Sequence, residues 1–501
     1  MVGPDYKEPR KSVAEHWIKN DRTIKETPIR NANWWKVFDD PTLTSLINQG
    51  YQNNLTIMSA AANVLQARAQ LAQSVGELYP QKQALIGDLT YNRIGGSQLQ
   101  GLLPSNFWTD SLGLTASWEI DFWGKYRRAI RSNDASFLAS YAAYDNALVS
   151  LTSDIATTYI DIRTTERLIQ ITRKNIQVQA IGLRIAKARF HAGQTSLLDV
   201  EQAQTELSQT QARIPQLLAN LQQKKDTLGV LLATTPDQVD ALLVKKKGIP
   251  RAPLTVAVGI PKETLVKRPD IFQARMEAIA QSEAIGAAKA NLFPAFSLTG
   301  TFAYTSNTIG SSSLGDIFRW SNRTITAGPS FNWPILNYGQ ITNTVRVQDA
   351  SFQKALLNYL NLVLKAQQEV QDHISQFVQS NKSERYLQTA NNSAIKSTKL
   401  ALIRYKEGES DFTPVLNSER QQLQVQSLLT RTQGDIPKAL VALYRALGGG
   451  WQIRGCNDIV PIEMKVEMAR RTNWGSLLKQ QNHQPPITRA QQIKERFLPN
   501  W

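Results

Sequence analysis

The sequence predicts a chain of mixed class that is internally duplicated: long helices of coiled-coil type joined to four amphipathic strands of a membrane β-barrel. Three observations carry that prediction. The apolar pattern of residues 137–162 returns 215 positions later. Stretches of about ten residues alternate apolar and polar side chains, the period of a strand with two unlike faces. Finally, a glycine stands where each alternating stretch gives way to helical periodicity, at Gly124 and Gly339.

The duplication is visible residue by residue. Phe137, Tyr141, Tyr144, Leu148, Leu151, Ile155, Tyr159 and Ile162 map onto Phe352, Leu356, Tyr359, Val363, Ala366, Val370, Ile374 and Phe377. "DASF" at 134–137 recurs at 349–352, "ARFHAG" at 188–193 lines up with "IRYKEG" at 403–408, and "LYP" at 78–80 with "LFP" at 292–294. A repeat at fixed spacing implies one structural unit used twice.

Each unit, 42–232 and 262–447, has the same order of elements. A helix ends at Tyr79-Pro80 or Phe293-Pro294, because proline disfavours helix in the residue before it. A strand pair follows, near 83–94 and 107–123 in the first unit and near 296–307 and 322–337 in the second. The alternation is plain in Leu114, Ala116, Trp118, Ile120 and Phe122 against Thr115, Ser117, Glu119 and Asp121. It is equally plain in Phe296, Leu298, Phe302, Phe331, Trp333 and Ile335.

After Gly124 a helix is predicted from about Lys125 to Ala192, ~100 Å at 1.5 Å per residue. Its apolar steps of 4, 3, 4, 3, 4, 4, 3 are close to a heptad, which packs helices in coiled coils. Gly193 caps it, and the chain returns as a helix from about Leu197 to Leu232. In the second unit Gly408 caps, Asp411 stands where an N-cap belongs, and Pro414 falls in the first turn, where proline is tolerated. A further helix, from about Lys262 to Leu292, completes the return run. Each unit is thus a helical shaft with strands at one end and a glycine turn at the other.

Composition excludes several classes. Hydrophobic residues make up 42% of the 501 and charged residues 20%, neither a disordered chain nor a helical membrane protein. No apolar run approaches the ~18 residues of a spanning helix. The single cysteine, Cys456, excludes an internal disulfide, and the four histidines show no metal spacing. No cofactor or metal is expected. The net charge of +16 is spread along the chain, with small clusters at Lys245–Lys247 and Arg470-Arg471, and no nucleic-acid motif accompanies it. No P-loop and no GxSxG is present, so an enzyme is not expected.

An alternating sheet is either half of a soluble sandwich or part of a barrel in lipid. The aromatics at the strand ends (Phe107, Trp108, Trp118, Phe122, Trp123, Trp333) favour lipid, as interfacial girdles do. A sheet in hydrocarbon must close on itself. Four strands do not close alone, and about eight is the practical minimum, so the membrane reading forces an oligomer. Leu114, Trp118, Ile120, Phe302, Phe331 and Trp333 are expected to meet lipid.

Three segments carry a family resemblance: "VGPDYKEP" at 2–9, "NWWKVFDDPTLTSLINQGYQNNLTI" at 33–57, and "GIPKETLVKRPDIFQARMEAIAQSEAIGAAKANLFP" at 259–294. They resemble the TolC-like outer-membrane efflux factors, in the lipoprotein branch that serves tripartite drug or metal efflux pumps. The resemblance runs to about Gly450. It implies a homotrimer with a twelve-stranded barrel, a periplasmic helical tunnel, and an equatorial belt from 1–41, 233–261 and the segment after 448, within the C-terminal stretch 448–501 whose tail, 461–501, has no counterpart in the resemblance. The implied function is an outer-membrane channel, a passive conduit for drugs, toxic small molecules or metal ions. The implied partners are a periplasmic membrane-fusion adaptor at the hairpin tips (Gly193, Gly408), an inner-membrane RND-type pump and outer-membrane lipid, with no nucleic acid.

Residue by residue, Asp199 in "SLLDV" and Tyr405 in "RYKEG" match the family's link between the two hairpins. Arg404 and Lys406 are expected to pair with acidic groups such as Asp199 or Glu201. Asn417 in "VLNSER" stands where relatives carry the constriction aspartate, with Asp411 or Glu419 as nearby sources of charge. The branch's acylated cysteine is absent, and Met1 stands near its place, as expected of an expressed form begun past the anchor. Two other functions fit less of the sequence: an exit duct for secreted polypeptide, and a soluble coiled-coil scaffold, which leaves the duplicated strands unexplained.

Overall fold

A computed structural model of the chain describes the residues outside 11–12, 18–23, 26–30, 96–103, 245–247, 254, 260–264, 266, 456 and 480–501. Cys456, the lysines at 245–247 and the end of the tail therefore lie outside the described residues.

The short N-terminal strand β1 (Ile24–Lys25) and the 3-10 turn Asn31–Phe38 lead into α1 (Pro41–Asn53) and α2 (Leu55–Gly76). Asp40 caps α1 by accepting the N–H groups of Thr42 and Leu43, at 3.0 and 3.3 Å. Strands β2 (Lys82–Arg93) and β3 (Asn106–Ile120) follow, then α3 (Lys125–His191), α4 (Leu197–Leu232) and α5 (Pro236–Leu243). After β4 (Val256–Ala257) the order repeats as α6 (Pro269–Ala290), β5 (Ala295–Asn307), β6 (Arg323–Asn332), α7 (Gln340–Lys406) and α8 (Thr413–Ala446). A short α9 (Ile462–Arg471) is the last described helix.

The long helices α3 and α7 are each 67 residues and start 215 positions apart. Each opens on a glycine in left-handed backbone, Gly124 at φ 87° and Gly339 at φ 82°. There a Cβ costs roughly 1–2 kcal/mol, so the chain turns from strand to helix where glycine stands. Helix α3 is flanked by α4 towards its far end and by α2 and α6 towards the strands. Helix α7 is flanked in the same way by α8 and α6. The heptad-like positions are the packed ones: Tyr144, Leu148, Ile155, Tyr159 and Ile162 are buried in α3, and Tyr359, Val363, Ala366, Val370, Ile374 and Phe377 in α7.

The four long strands form one antiparallel sheet in the order β2-β3-β5-β6. Its register sets Leu85, Leu114, Phe302 and Ile325 side by side, then Trp118 beside Leu298, and Ile120, Phe296 and Phe331 in a third row. Residues paired across a sheet share a face, so one face is apolar. The other carries Thr115, Thr301 and Thr326, then Ser117, Thr299 and Gly328. The apolar face is bare: Leu85 is 70% exposed and Phe331 72%.

Two details differ from expectation. Strand β6 ends at Asn332, because Pro334 has no N–H to continue the ladder. Trp333 therefore lies just past the strand, where its indole N–H donates to the Leu292 carbonyl at 3.1 Å. Trp118, 215 residues earlier, donates to the Leu78 carbonyl at the same distance. Moreover, the acidic residues before α3 do not simply face water. Asp121 accepts the backbone N–H groups of Tyr126 and Arg127 and pairs with the Arg127 guanidinium at 2.8 Å, while Glu119 pairs with Lys125 at 3.1 Å. Carboxylates at a helix N-terminus satisfy its free N–H groups and its dipole. The described part of α6 begins at Pro269, and the expected start near Lys262 lies outside the described residues.

Around the middle of α3 the N-terminal segment, the 233–261 connection and the C-terminal segment share one core. Trp17, Trp34, Trp35, Phe38, Val239, Leu243, Val256, Val258, Tyr444, Leu447 and Val460 are buried together. Strand β1 pairs with β4 in parallel, and the Trp34 ring stacks on Tyr444. Arg454 forks onto Asp145 of α3 through Nε and Nη2.

Candidate gate at the hairpin tips

The two helical hairpins, α3–α4 and α7–α8, turn at Gly193 (φ 69°) and Gly408 (φ 86°). Just inside those turns a second apolar cluster ties them together. Leu183 and Ala186 of α3, Val200, Ala203 and Leu207 of α4, and Tyr405, Phe412, Val415 and Leu416 from the second hairpin are all buried in it.

Tyr405 is the centre of this cluster, at 1% exposure. Its hydroxyl donates to Asp199 Oδ2 at 3.3 Å, joining α7 to α4. Thr195 donates to the same carboxylate oxygen from the turn. Arg189 of α3 lies over the Tyr405 ring, 4.6 Å from its centroid, and donates to the Tyr405 carbonyl. The Phe412 ring meets Tyr405 edge-on at 5.2 Å. Burial pushes the Tyr405 phenol above its ordinary pKa, the Asp199 charge adds to that, and the Thr195 contact opposes it. The phenol is therefore a neutral donor at any physiological pH.

The remaining expected residues are placed as follows. Arg404 does not reach Asp199 or Glu201. It pairs with Glu409 across its own turn at 3.5 Å, and Lys406 with Glu407 at 4.0 Å. The reason is geometric: Tyr405 points into the cluster, so its neighbours at 404 and 406 point outward. The cation at the link is Arg189, which no motif singled out. Asp411 is exposed and does not cap α8. The N-cap is Phe412, whose ring is held in the cluster and has no acceptor for a side-chain cap bond. Asn417 is exposed on α8, on the face away from the buried Val415, Leu416 and Glu419. His191 is exposed at the end of α3.

A second polar link lies one step from the tips. Arg420 of α8 donates through Nε to Glu206 of α4 at 2.6 Å, and the Glu206 side chain is only 5% exposed. Farther along, Asn175 of α3 bonds Gln426 at 2.6 Å and accepts from Gln422 at 3.3 Å. These links were not anticipated. "SER" at 418–420 carries no local sign that its arginine finds a partner 214 residues earlier.

Among the described residues no helix is long and apolar enough to cross a membrane, and no group of three or more His, Cys, Asp or Glu could hold a metal ion. What the geometry offers is a shaft, a one-sided apolar sheet and a polar latch at the far end.

Comparison with known proteins decides what such a molecule is. The profile of the outer membrane efflux protein family matches residues 46–234 and again 260–449. The chain belongs to that family. The two matches cover the two structural units, so the duplication is the family's own. Nodulation protein T of Rhizobium leguminosarum bv. trifolii is 28% identical over 454 residues, covering 90% of this chain and 94% of that protein. The pyoverdine export outer membrane protein OpmQ of Pseudomonas aeruginosa is 30% identical over 433 residues, covering 84% and 87%. The solved structure of the outer-membrane channel OprN superposes with a TM-score of 0.82 at 28% identity, over 90% of this chain and 99% of that one. This efflux family member is thus an outer-membrane efflux channel.

Proposed function

We propose that three copies of the chain close a twelve-stranded barrel and a continuous helical tunnel, and that this assembly is a passive conduit for small molecules or metal ions. The observation that carries the reading is the sheet. Its apolar face is bare, and among the described residues its outer strands β2 and β6 each have one unpaired edge. Free backbone edges are not tolerated in hydrocarbon, so β6 of one copy must pair with β2 of the next. Three sheets of four strands make a barrel of the wide kind that leaves an aqueous channel. The polar face, with Thr115, Thr301, Thr326, Ser117 and Thr299, then lines water.

In this reading the core around Trp34, Trp35 and Val256 is a belt that braces the tunnel at mid-height. The hairpin tips at Gly193 and Gly408 meet a periplasmic adaptor, which couples the channel to an inner-membrane RND-type pump. The chain performs no chemistry of its own. Asn417, Asp199, Tyr405 and Asp411 lie near the tunnel end, with Asn417 turned to the lumen. The relative named for pyoverdine export supports small-molecule cargo over secreted polypeptide.

Reconstitution tests this. Liposomes holding the purified protein should release a trapped dye of a few hundred daltons with neither nucleotide nor an ion gradient, once the tip links are cut by substitution. Retention of the dye by every such variant would contradict a passive conduit.

A further inference from the structure

The seam between α8 and the first hairpin holds a carboxyl group that neither the tip link nor the tunnel wall uses. Glu419 is 3% exposed, and its Oε1 is buried without a hydrogen-bond partner. It lies against Gly182 of α3, so closely that a Cβ there would stand 3.2 Å from Oε1, with Leu402 and Phe412 beside it. One layer along α3, Gln179 is 2% exposed, and neither its amide oxygen nor its nitrogen has a partner. On the α4 side, Thr210 Oγ1 is also buried and unpartnered, one helical turn from Glu206.

The charged groups facing Glu419 can be named element by element. From α4 comes Glu206, the charge that acts on it. From α8 itself comes Arg420, already committed to Glu206. The α3 face offers Gly182 and the neutral Gln179, and α7 offers Leu402. Among the described residues Glu419 therefore has a like charge nearby and no cation of its own. An ionised carboxylate in such a place is costly, whereas a protonated one is a neutral donor.

We propose that Glu419 is a proton-operated latch between the two hairpins: protonated, it lets α8 lie packed on α3 and α4, and loss of the proton drives α8 away from them. This rests on the channel reading only for its consequence, namely that parting of the seam widens the tunnel. Burial first, and the Glu206 charge second, raise the Glu419 carboxyl from 4.5 to about 7 in the packed state. Once α8 moves away and water enters, the group returns towards its ordinary value. The packed state thus binds the proton more tightly. Its advantage is complete below about pH 4.5 and is lost as pH rises through about 7. The equilibrium between packed and parted seams shifts by roughly a hundredfold per protomer over that range.

The test has two readouts. The first is hydrogen exchange of residues 415–426 in the detergent-solubilised protein from pH 5.5 to 8.5, corrected for the intrinsic rate at each pH. Wild type should lose protection with a midpoint near pH 7. Glu419→Gln, an isostere of the protonated acid, should stay protected throughout. Glu206→Gln should move the midpoint down, because it removes the like charge. The second readout is conductance of the same proteins in planar bilayers, which should rise through each protein's own protection midpoint and stay level with pH in Glu419→Gln. Protection that is flat with pH in wild type, or that still falls in Glu419→Gln, overturns the latch. A pH-dependent seam in a protein that never conducts would leave the latch standing and overturn the channel reading instead.

Discussion

Tyr405 Oη donates to Asp199 Oδ2 at 3.3 Å, and the two residues, 206 positions apart in sequence, belong to different hairpins. Tyr405 is buried in an apolar cluster and Asp199 lies half-buried at its edge, so the bond is partly shielded from water. Its geometry is supported from three sides, by Thr195 on the carboxylate, Arg189 on the ring face and Phe412 on the ring edge. The link is therefore a place where a small change in bonding should alter how firmly the tips hold together.

Tyr405→Phe tests the hydrogen bond alone, since the ring stays for Arg189 and Phe412. The expected loss is about 1 kcal/mol net, roughly a fivefold shift from closed to open. Single-channel recording should show a higher open probability with unchanged unitary conductance. Wild-type behaviour would mean that the bond does not hold the tips.

Arg420→Met should act more strongly. It leaves Glu206 buried without its cation, an arrangement that costs several kcal/mol in a fully buried pair. Because the Arg420 side chain is half-exposed, about 2 kcal/mol is expected here. Conductance should exceed that of Tyr405→Phe. The double variant should show whether the two links add, as independent contacts do.

Asn417→Asp places a carboxylate on the exposed face of α8. If that face lines the lumen, each protomer contributes one negative charge and cation selectivity rises, seen as a shifted reversal potential in a salt gradient. An unmoved reversal potential would place Asn417 away from the constriction.

Arg454→Met probes the C-terminal segment. Burial raises the Asp145 carboxyl to about 6 even though Arg454 opposes the rise. Without the guanidinium the carboxylate loses the positive charge that supports it, so the packed form favours the protonated acid still more. The variant's thermal stability should lie near wild type at pH 5 and fall progressively below it as pH rises past 6. A deficit that does not change with pH would point to lost packing against Tyr141 and Trp451 rather than lost charge.

Periodicity made the fold legible because the same pattern is written twice. Gly124 and Gly339, or Phe137 and Phe352, confirm one another in a way that a single helix never does. Element ends were less legible wherever a side chain overrides the local signal. Trp333 continues the alternation, but Pro334 stops the ladder beside it. Asp411 has the chemistry of a cap, yet the packing of Phe412 decides where α8 starts. At the gate, resemblance supplied Asp199 and Tyr405. Arg189 and Arg420 stayed hidden, and Glu419 was expected as a charge near Asn417 rather than as a buried acid, because helical spacing says which face a residue occupies but not what another hairpin lays over it.

The measurement closest to the central claim is the mass of the protein part in detergent, by light scattering with bound detergent subtracted. A shared barrel predicts three times the mass of one chain, with precipitation once detergent is withdrawn. A monomer or dimer that stays dispersed in plain buffer would contradict the barrel, and with it the tunnel that the hairpins are proposed to close.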